Sequence, residues 1–292
     1  MKIEVFSDVA NLVGESPSWS ADEGALYWVD IVGKTIYRHG PAGLESWAAP
    51  DLACGVVPRR RGGLIASVLK DLMSFDPEAG TFSAFATIES DRPANRNNEM
   101  KCDPQGRLWL GTMQNNVAED GSGIPITANT GALYRIGAGG ETTRMLDNIG
   151  ISNTLAWTPE GGQMFFADTL ANRIDRFAFE PSSGALSGQE SYFEGSLFGL
   201  PDGSAMDSEG YLWNARFGGG CLLRIAPDGS IDRKVDLPVT NPTSCVFGGE
   251  NLDTLYITSA CFELEVAKTP HEGAVLAAYP GVRGLPTHAF AG

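Results

Sequence analysis

Histidine is scarce in this sequence, with three in 292 residues. His39 precedes a Gly-Pro turn, His271 follows Pro270 and His288 lies in the C-terminal tail. None falls near a position expected to face a common site, which argues against a Ser-His-Asp triad or a histidine dyad. Positive charge is also short: Lys plus Arg number 21 against 36 Asp plus Glu, a net charge of −15. That balance argues against nucleic acid or an anionic membrane as partner, and "RRR" at 59–61 is expected to be a solvated turn. No apolar run approaches the roughly 18 residues of a membrane span. The opening "MKIEVFSDVANLVGESPSW" places Glu4 and Asp8 where a signal peptide would be apolar, so the expectation is a soluble, cytoplasmic protein. The five cysteines, Cys54, Cys102, Cys221, Cys245 and Cys261, are odd in number and form no CxxC pair. They are expected to be reduced and mostly buried, without a structural zinc site. Helical periodicity is missing, and "GAGG" at 137–140 lacks the strand and helix of a nucleotide-binding loop, so it predicts a hairpin turn.

What the chain has is turns and repeats. It carries 36 glycines and 17 prolines, and its 42% hydrophobic content can bury a sizeable core. Strand-like segments recur: "GALYWVDIVGKTIYRHGPAG" from Gly24, "GGLIASVLKDLMSFDPEAG" from Gly62, "GRLWLGTM" from Gly106, "GGQMFFADTLANRIDRFAFEPSSG" from Gly161, "GYLWNARFGGGCLLRIAPDG" from Gly210, and "LDTLYITSA" from Leu252. The first five glycines are 38, 44, 55 and 49 residues apart, close to the roughly 40–50 of a four-stranded propeller blade. The spacing predicts an all-β, six-bladed β-propeller with four-stranded antiparallel blades, one domain over residues 1–292; a pair of β-sandwiches is the alternative.

In a propeller, equivalent positions on the innermost strands face one axis. Counting back eight residues from Gly62, Gly106, Gly161 and Gly210 gives Cys54, Asn98, Asn153 and Asp202, eight back from Asn251 gives Thr243, and nine back from Gly24 gives Glu15. Asp202 alone, in "LPDG", reads as an ordinary turn residue. Its recurrence with Glu15, Asn98 and Asn153 gathers carboxylates and amides, the hard oxygen donors that suit a divalent cation; the competing possibility is that each sits in its own solvated turn.

Five stretches, "GESPSW", "DPQGRLWLGTM", "ISNTLAW", "LPDGSAMDSEGYLW" and "TSCVFGGENLDTLYITSA", together resemble the SMP-30/gluconolactonase/LRE family, which includes regucalcin and bacterial sugar lactonases. The resemblance spans nearly the whole chain. It implies a six-bladed propeller holding one divalent ion through Glu15, Asn153 and Asp202, with calcium, zinc, manganese, magnesium and ferrous iron all compatible. It also implies hydrolysis of an aldonolactone, with Arg96 and Asn98 against the substrate. Two departures bear on the substrate. The family's Arg-x-Asn-Asp-Gly reads "RNNEM" here, so Glu99 keeps the charge and Met100 requires an ordinary backbone where Gly would not. After "GTM", where some relatives carry a substrate-touching Glu, this chain has Asn116.

Lactone hydrolysis develops negative charge on a carbonyl oxygen, which a cation with an open position stabilises while acidifying water. Asp202 is the expected metal ligand and general base; Glu15 and Asn153 are expected ligands; Arg96, Asn98, Glu99 and Asn116 are expected substrate contacts, Asn98 alternatively holding the ion through water. Asp30 and Asp168 occupy matching repeat positions and are expected either to support the ligands or to cap strands. Residues 114–130, just after "GTM" where an inner strand is expected to end, and 185–201 are read as loops that shape the substrate site, with Phe193 and Phe198 either an apolar wall or plain packing. The expected partner is a small sugar lactone such as glucono-, xylono- or arabinono-lactone, and the expected assembly is a monomer or weak homo-oligomer. A non-catalytic, calcium-regulatory propeller and a metal-free interaction propeller are the alternatives.

Overall fold

The computed structural model describes residues 1–262, 264 and 269–292. Among them the chain is all strand, with no helix and hence none long and apolar enough to cross a membrane. Six four-stranded antiparallel sheets form a six-bladed β-propeller, as the repeat spacing predicts. Five blades are built from four consecutive strands each. The sixth joins the N-terminal strand Ile3–Ser7 to Val275–Ala278, so the two ends of the chain close the ring within one sheet.

The six innermost strands are Gly14–Ser20, Ala53–Pro58, Asn95–Cys102, Ser152–Trp157, Leu200–Met206 and Asn241–Gly248. Each packs against the next around the axis. The repeated glycine-led segments are therefore the second strands of their blades, not the inner ones. "GTM" belongs to Leu108–Gln114, which pairs outside Asn95–Cys102, and this corrects the expectation that an inner strand ends there. The second strand is flanked by partners on both edges and packed on both faces, so it carries the strongest apolar signal in each repeat. Trp28, Trp109 and Trp213 lie there, all fully buried.

The core is distributed between blades. Phe165 and Ala167 of one blade pack with Leu212, Leu223 and Ile225 of the next, and Trp28 packs with Val275 and Ala277 across the closure. The segment 185–201, read as a loop, contains a strand, Ala185–Glu194, paired with Arg173–Glu180. As an outermost strand it is mostly exposed on both faces, so its polar "SGQES" lacks the alternation that marks a half-buried strand. Only residues 195–199 connect it to the next blade. "GAGG" forms the predicted hairpin turn, with Gly140 N–H donating to Gly137 O.

Candidate metal centre

Every innermost strand slips register once, and the slips fall at the positions found by counting back along the repeats. They lie between Glu15 and Ser18, Ala53 and Gly55, Asn97 and Met100, Asn153 and Leu155, Pro201 and Ser204, and Pro242 and Ser244. A β-bulge re-aims the side chains at its extra residue. Here the ring of bulges brings side chains from several blades to the axis. Ser16 and Thr154, directly after Glu15 and Asn153, take left-handed φ values of 49°. For a β-branched threonine this costs on the order of 1–3 kcal/mol. The Thr154 hydroxyl is held in place, donating to Asp202 O at 2.5 Å and lying 2.9 Å from Ser204 Oγ. At the equivalent turn of the next blade, Gly203 leaves no alternative, because a Cβ there would sit 2.0 Å from Ser244 Oγ.

Four of the six axial positions present polar groups to one another. Asn153 is 4% exposed and Asp202 7%, while Glu15 and Asn98 stay partly open to the channel. Asn153 Nδ2 donates to Thr169 Oγ1 at 2.8 Å, and Thr169 donates onward to Pro201 O at 2.7 Å. Asn98 Nδ2 donates to Ser152 O at 2.9 Å and reaches Asn153 Oδ1 at 3.3 Å. Of the remaining two positions, Cys54 Sγ faces Leu52 O just before its own strand, and Thr243 Oγ1 donates to Gly14 O of the adjacent blade.

Arg96, Asn98 and Asn116, predicted as a substrate-contacting group, are joined in one network. Arg96 Nη1 donates to Asn98 Oδ1 at 2.7 Å and to Asn97 O at 2.8 Å, while Nε and Nη2 donate to Asn116 Oδ1 at 3.2 and 2.9 Å. Arg96 is 5% exposed, and its fork orients the two amides that remain open. The fourth member of that group, Glu99, is 4% exposed and makes no side-chain hydrogen bond to this network. Both of its carboxylate oxygens are buried without a hydrogen bond, and Lys101 Nζ lies 3.7 Å from Oε1.

Three carboxylates thus share the interior. Burial, then the charges of Glu15 and Glu99, hold the Asp202 carboxyl well above its ordinary range. Burial and Glu99 push Glu15 up to about 8. Two carboxyl groups raised together by burial and by neighbouring carboxylate charge are relieved when a cation binds between them. On the strand Asn95–Cys102, Arg96 hydrogen-bonds Asn98 and Asn116, and the half-buried Lys101 lies between Glu99 and Ser204 O. Two carboxylates plus an amide oxygen oriented by its own hydrogen bonds suit a hard divalent ion, so the donor set fits the group that the sequence implies. Among the described residues no three His, Cys, Asp or Glu side chains form a ligand cluster by themselves, which leaves the third donor to Asn153.

Asp30 and Asp168 do not touch the centre. Asp30 accepts from the backbone of Leu12, Val13 and Gly33, and Asp168 from Gly150, Ile151 and Leu170. They cap the turns leading to Glu15 and Asn153. Phe193 packs into the core between blades and lies under Arg216, whose guanidinium carbon is 5.6 Å from the ring centroid, whereas Phe198 is 40% exposed. The 114–130 loop folds back on itself through Gln114 Oε1, which accepts from Thr127 and Ala128, and buries Val117 against Ile31 and Leu52 of other blades. Sequence reasoning missed Arg216, fully buried, which binds Phe198 O, Gly199 O and Asn214 Oδ1 and so fixes the approach to Asp202. It also missed Asn214, which donates to Asp202 O at 3.0 Å. "LWNARF" offered a signal, since polar residues alternate there into a buried strand. The axial cavity of about 280 Å³, lined by Lys101, Ala156, Met206, Phe247 and His288 among others, lies at the opposite end of the channel.

The family model of the SMP-30/Gluconolactonase/LRE-like region matches residues 13–261; the chain belongs to that family. Regucalcin of Xenopus laevis is 30% identical over 300 aligned positions, covering 100% of this chain and 99% of that protein. The 6-deoxy-6-sulfogluconolactonase of Pseudomonas putida is 32% identical over 290 positions, 97% of this chain and 96% of that one. The crystal structure of a calcium-binding protein, regucalcin, from Agrobacterium tumefaciens superposes with a TM-score of 0.89 at 26% identity, covering 98% of this chain and 96% of that one.

Proposed function

We propose that this protein is a carboxylic ester hydrolase that opens a sugar lactone to its aldonic acid, using one divalent cation held by Glu15, Asn153 and Asp202. The observation that carries the reading is the convergence of Glu15, Asn153 and Asp202 at the register slips of three inner strands, which brings two carboxylates and an amide to the axis. A bound divalent ion supplies Lewis-acid stabilisation of the carbonyl oxygen and acidifies water. The chain's own residues do the rest. Asp202 takes the proton from water as its oxygen adds to the carbonyl carbon, then returns that proton to the ring oxygen as the ring C–O bond breaks. Asn98 and Asn116, partly open and held by Arg96, present amide groups to the substrate's hydroxyls. Their polarity and the sugar-lactonase relative support a pentono- or hexono-lactone, with glucono-, xylono- and arabinono-lactone the compounds to assay. The regucalcin relatives favour calcium as the first ion to try, followed by zinc, manganese, magnesium and ferrous iron.

Asp202→Asn tests the reading. It keeps an oxygen donor and removes the base, so kcat is expected to fall by about a thousandfold, with folding intact by circular dichroism. A variant that binds metal and retains full turnover removes Asp202 from the chemistry. Parent protein that binds calcium and turns over no lactone supports the non-catalytic reading of the same site.

A further inference from the structure

Glu99 sits one residue beyond Asn98 in the bulge of Asn95–Cys102, and nothing described so far uses it. The strand runs down the axis from the open amides of Asn98 to the far cavity, whose wall includes Met100, Lys101 and Cys102. Glu99 is therefore placed below Asn98, away from the open amides and Asn116. Its side chain is 1% exposed, both oxygens lack a hydrogen bond among the described residues, and Lys101 Nζ lies 3.7 Å away. Lys101 is held in turn by Ser204 O, on the strand that carries Asp202. A buried carboxylate with no hydrogen bond is costly unless a positive charge compensates it. At 3.7 Å, Lys101 does so only in part. Glu99 raises the carboxyl groups of both Glu15 and Asp202, and Lys101 and Arg96 oppose the effect at Glu15.

We infer that Glu99 and Lys101 form a charge pair beneath the metal centre that sets its cation affinity, with Glu99 strengthening and Lys101 weakening it through space rather than by ligation. Resting on the metal-centre reading above, this assigns Glu99 to the ion instead of the substrate. The carboxylates of Glu15, Asp202 and Glu99 together carry three negative charges when ionised, which Lys101 and Arg96 offset only in part, so negative charge remains for a cation to neutralise. An interior of low effective dielectric makes such unit charges felt at distances where water would screen them. Glu99 and Lys101 act as positioning charges; neither is a catalytic residue.

The test is metal affinity in chelator-stripped protein, measured by calorimetry with Ca2+ and separately with Mn2+, and needs no turnover. Glu99→Gln is expected to weaken binding at least tenfold, Lys101→Met to tighten it severalfold, and Lys101→Arg to leave it near the parent value. Opposite signs for the first two are what a purely structural role does not give. Thermal denaturation without metal supplies a second readout: Glu99→Gln is expected to melt higher than the parent, and to gain less from added Ca2+. If Lys101→Met fails to fold, the Glu99→Gln affinity and the Lys101→Arg control still decide the matter. Parent-like affinity in Glu99→Gln overturns this inference and leaves the metal centre standing; a rise in KM alone returns Glu99 to the substrate. A parent that binds neither ion overturns both the metal centre and the role of Glu99.

Discussion

At the scale of single residues, the centre is defined by charges that the fold makes expensive. Glu15, raised to about 8 by burial and by Glu99, would titrate near 4.5 in the unfolded chain. The folded, metal-free protein therefore holds more protons than the unfolded one between about pH 4.5 and 8. The associated stability is complete below about 4.5 and is lost as pH rises through about 8. Glu99, Asp202, Lys101 and Arg96 are the charged groups that face Glu15. A cation must displace this proton, so binding at pH 7 releases protons and apparent affinity climbs with pH. Calcium titrations in two buffers of different ionisation enthalpy measure that release; no buffer dependence at pH 7 would show that Glu15 is already ionised. The axial residues were legible because their spacing repeats. Lys101, Asn214 and Arg216 were not, because nothing in a local pattern says which buried polar side chain points at a ligand's backbone rather than at a neighbouring blade.

Among the elements, two turns show how much the sequence encodes locally. In "DPQGRLW", Asp103 accepts from the backbone of Gln105 and Arg107 and from Trp109 Nε1 at 2.9 Å. In "DSEGYLW", Asp207 repeats the pattern with Glu209, Tyr211 and Trp213 Nε1, again at 2.9 Å, and adds Arg224. One carboxylate thus fixes a turn, a tryptophan and the register of the following second strand. Asp207→Ala strands a fully buried tryptophan donor and takes from Arg224, 4% exposed, one of its three carboxylate partners. Urea denaturation is expected to show a loss of about 3 kcal/mol, with kcat unchanged because Asp207 lies at the far end of its inner strand from Asp202. A loss under 1 kcal/mol would mean that water or Glu209 replaces the carboxylate. Second strands were readable since both faces and both edges are covered, leaving a dense apolar run. The outermost strand Ala185–Glu194 was not, since a one-edged, exposed strand carries no such signature.

For the whole molecule, six blades must meet around one axis, and the closure is made by strand pairing and packing without a covalent link. Ile3–Ser7 pairs with Val275–Ala278, and Ile3 and Val5 pack onto the core of the sixth blade. Removing residues 1–8 bares the edge of Val275–Ala278 and opens the ring. The expected outcome is a lower melting temperature together with weaker metal binding, since Glu15 follows directly from the closing strand; unchanged melting would mean that the ring does not depend on it. The repeat period of the sequence specified this architecture, but not how its two ends share a blade, which appears only once the strands are paired.

The most direct test of the central claim is proton release during hydrolysis of glucono-, xylono- and arabinono-lactone by chelator-stripped protein, before and after adding back calcium, zinc, manganese, magnesium or ferrous iron. The account predicts no turnover above the spontaneous rate in stripped protein and its return with at least one ion on at least one lactone. Equal turnover with and without metal, in protein verified free of bound ions, would contradict it.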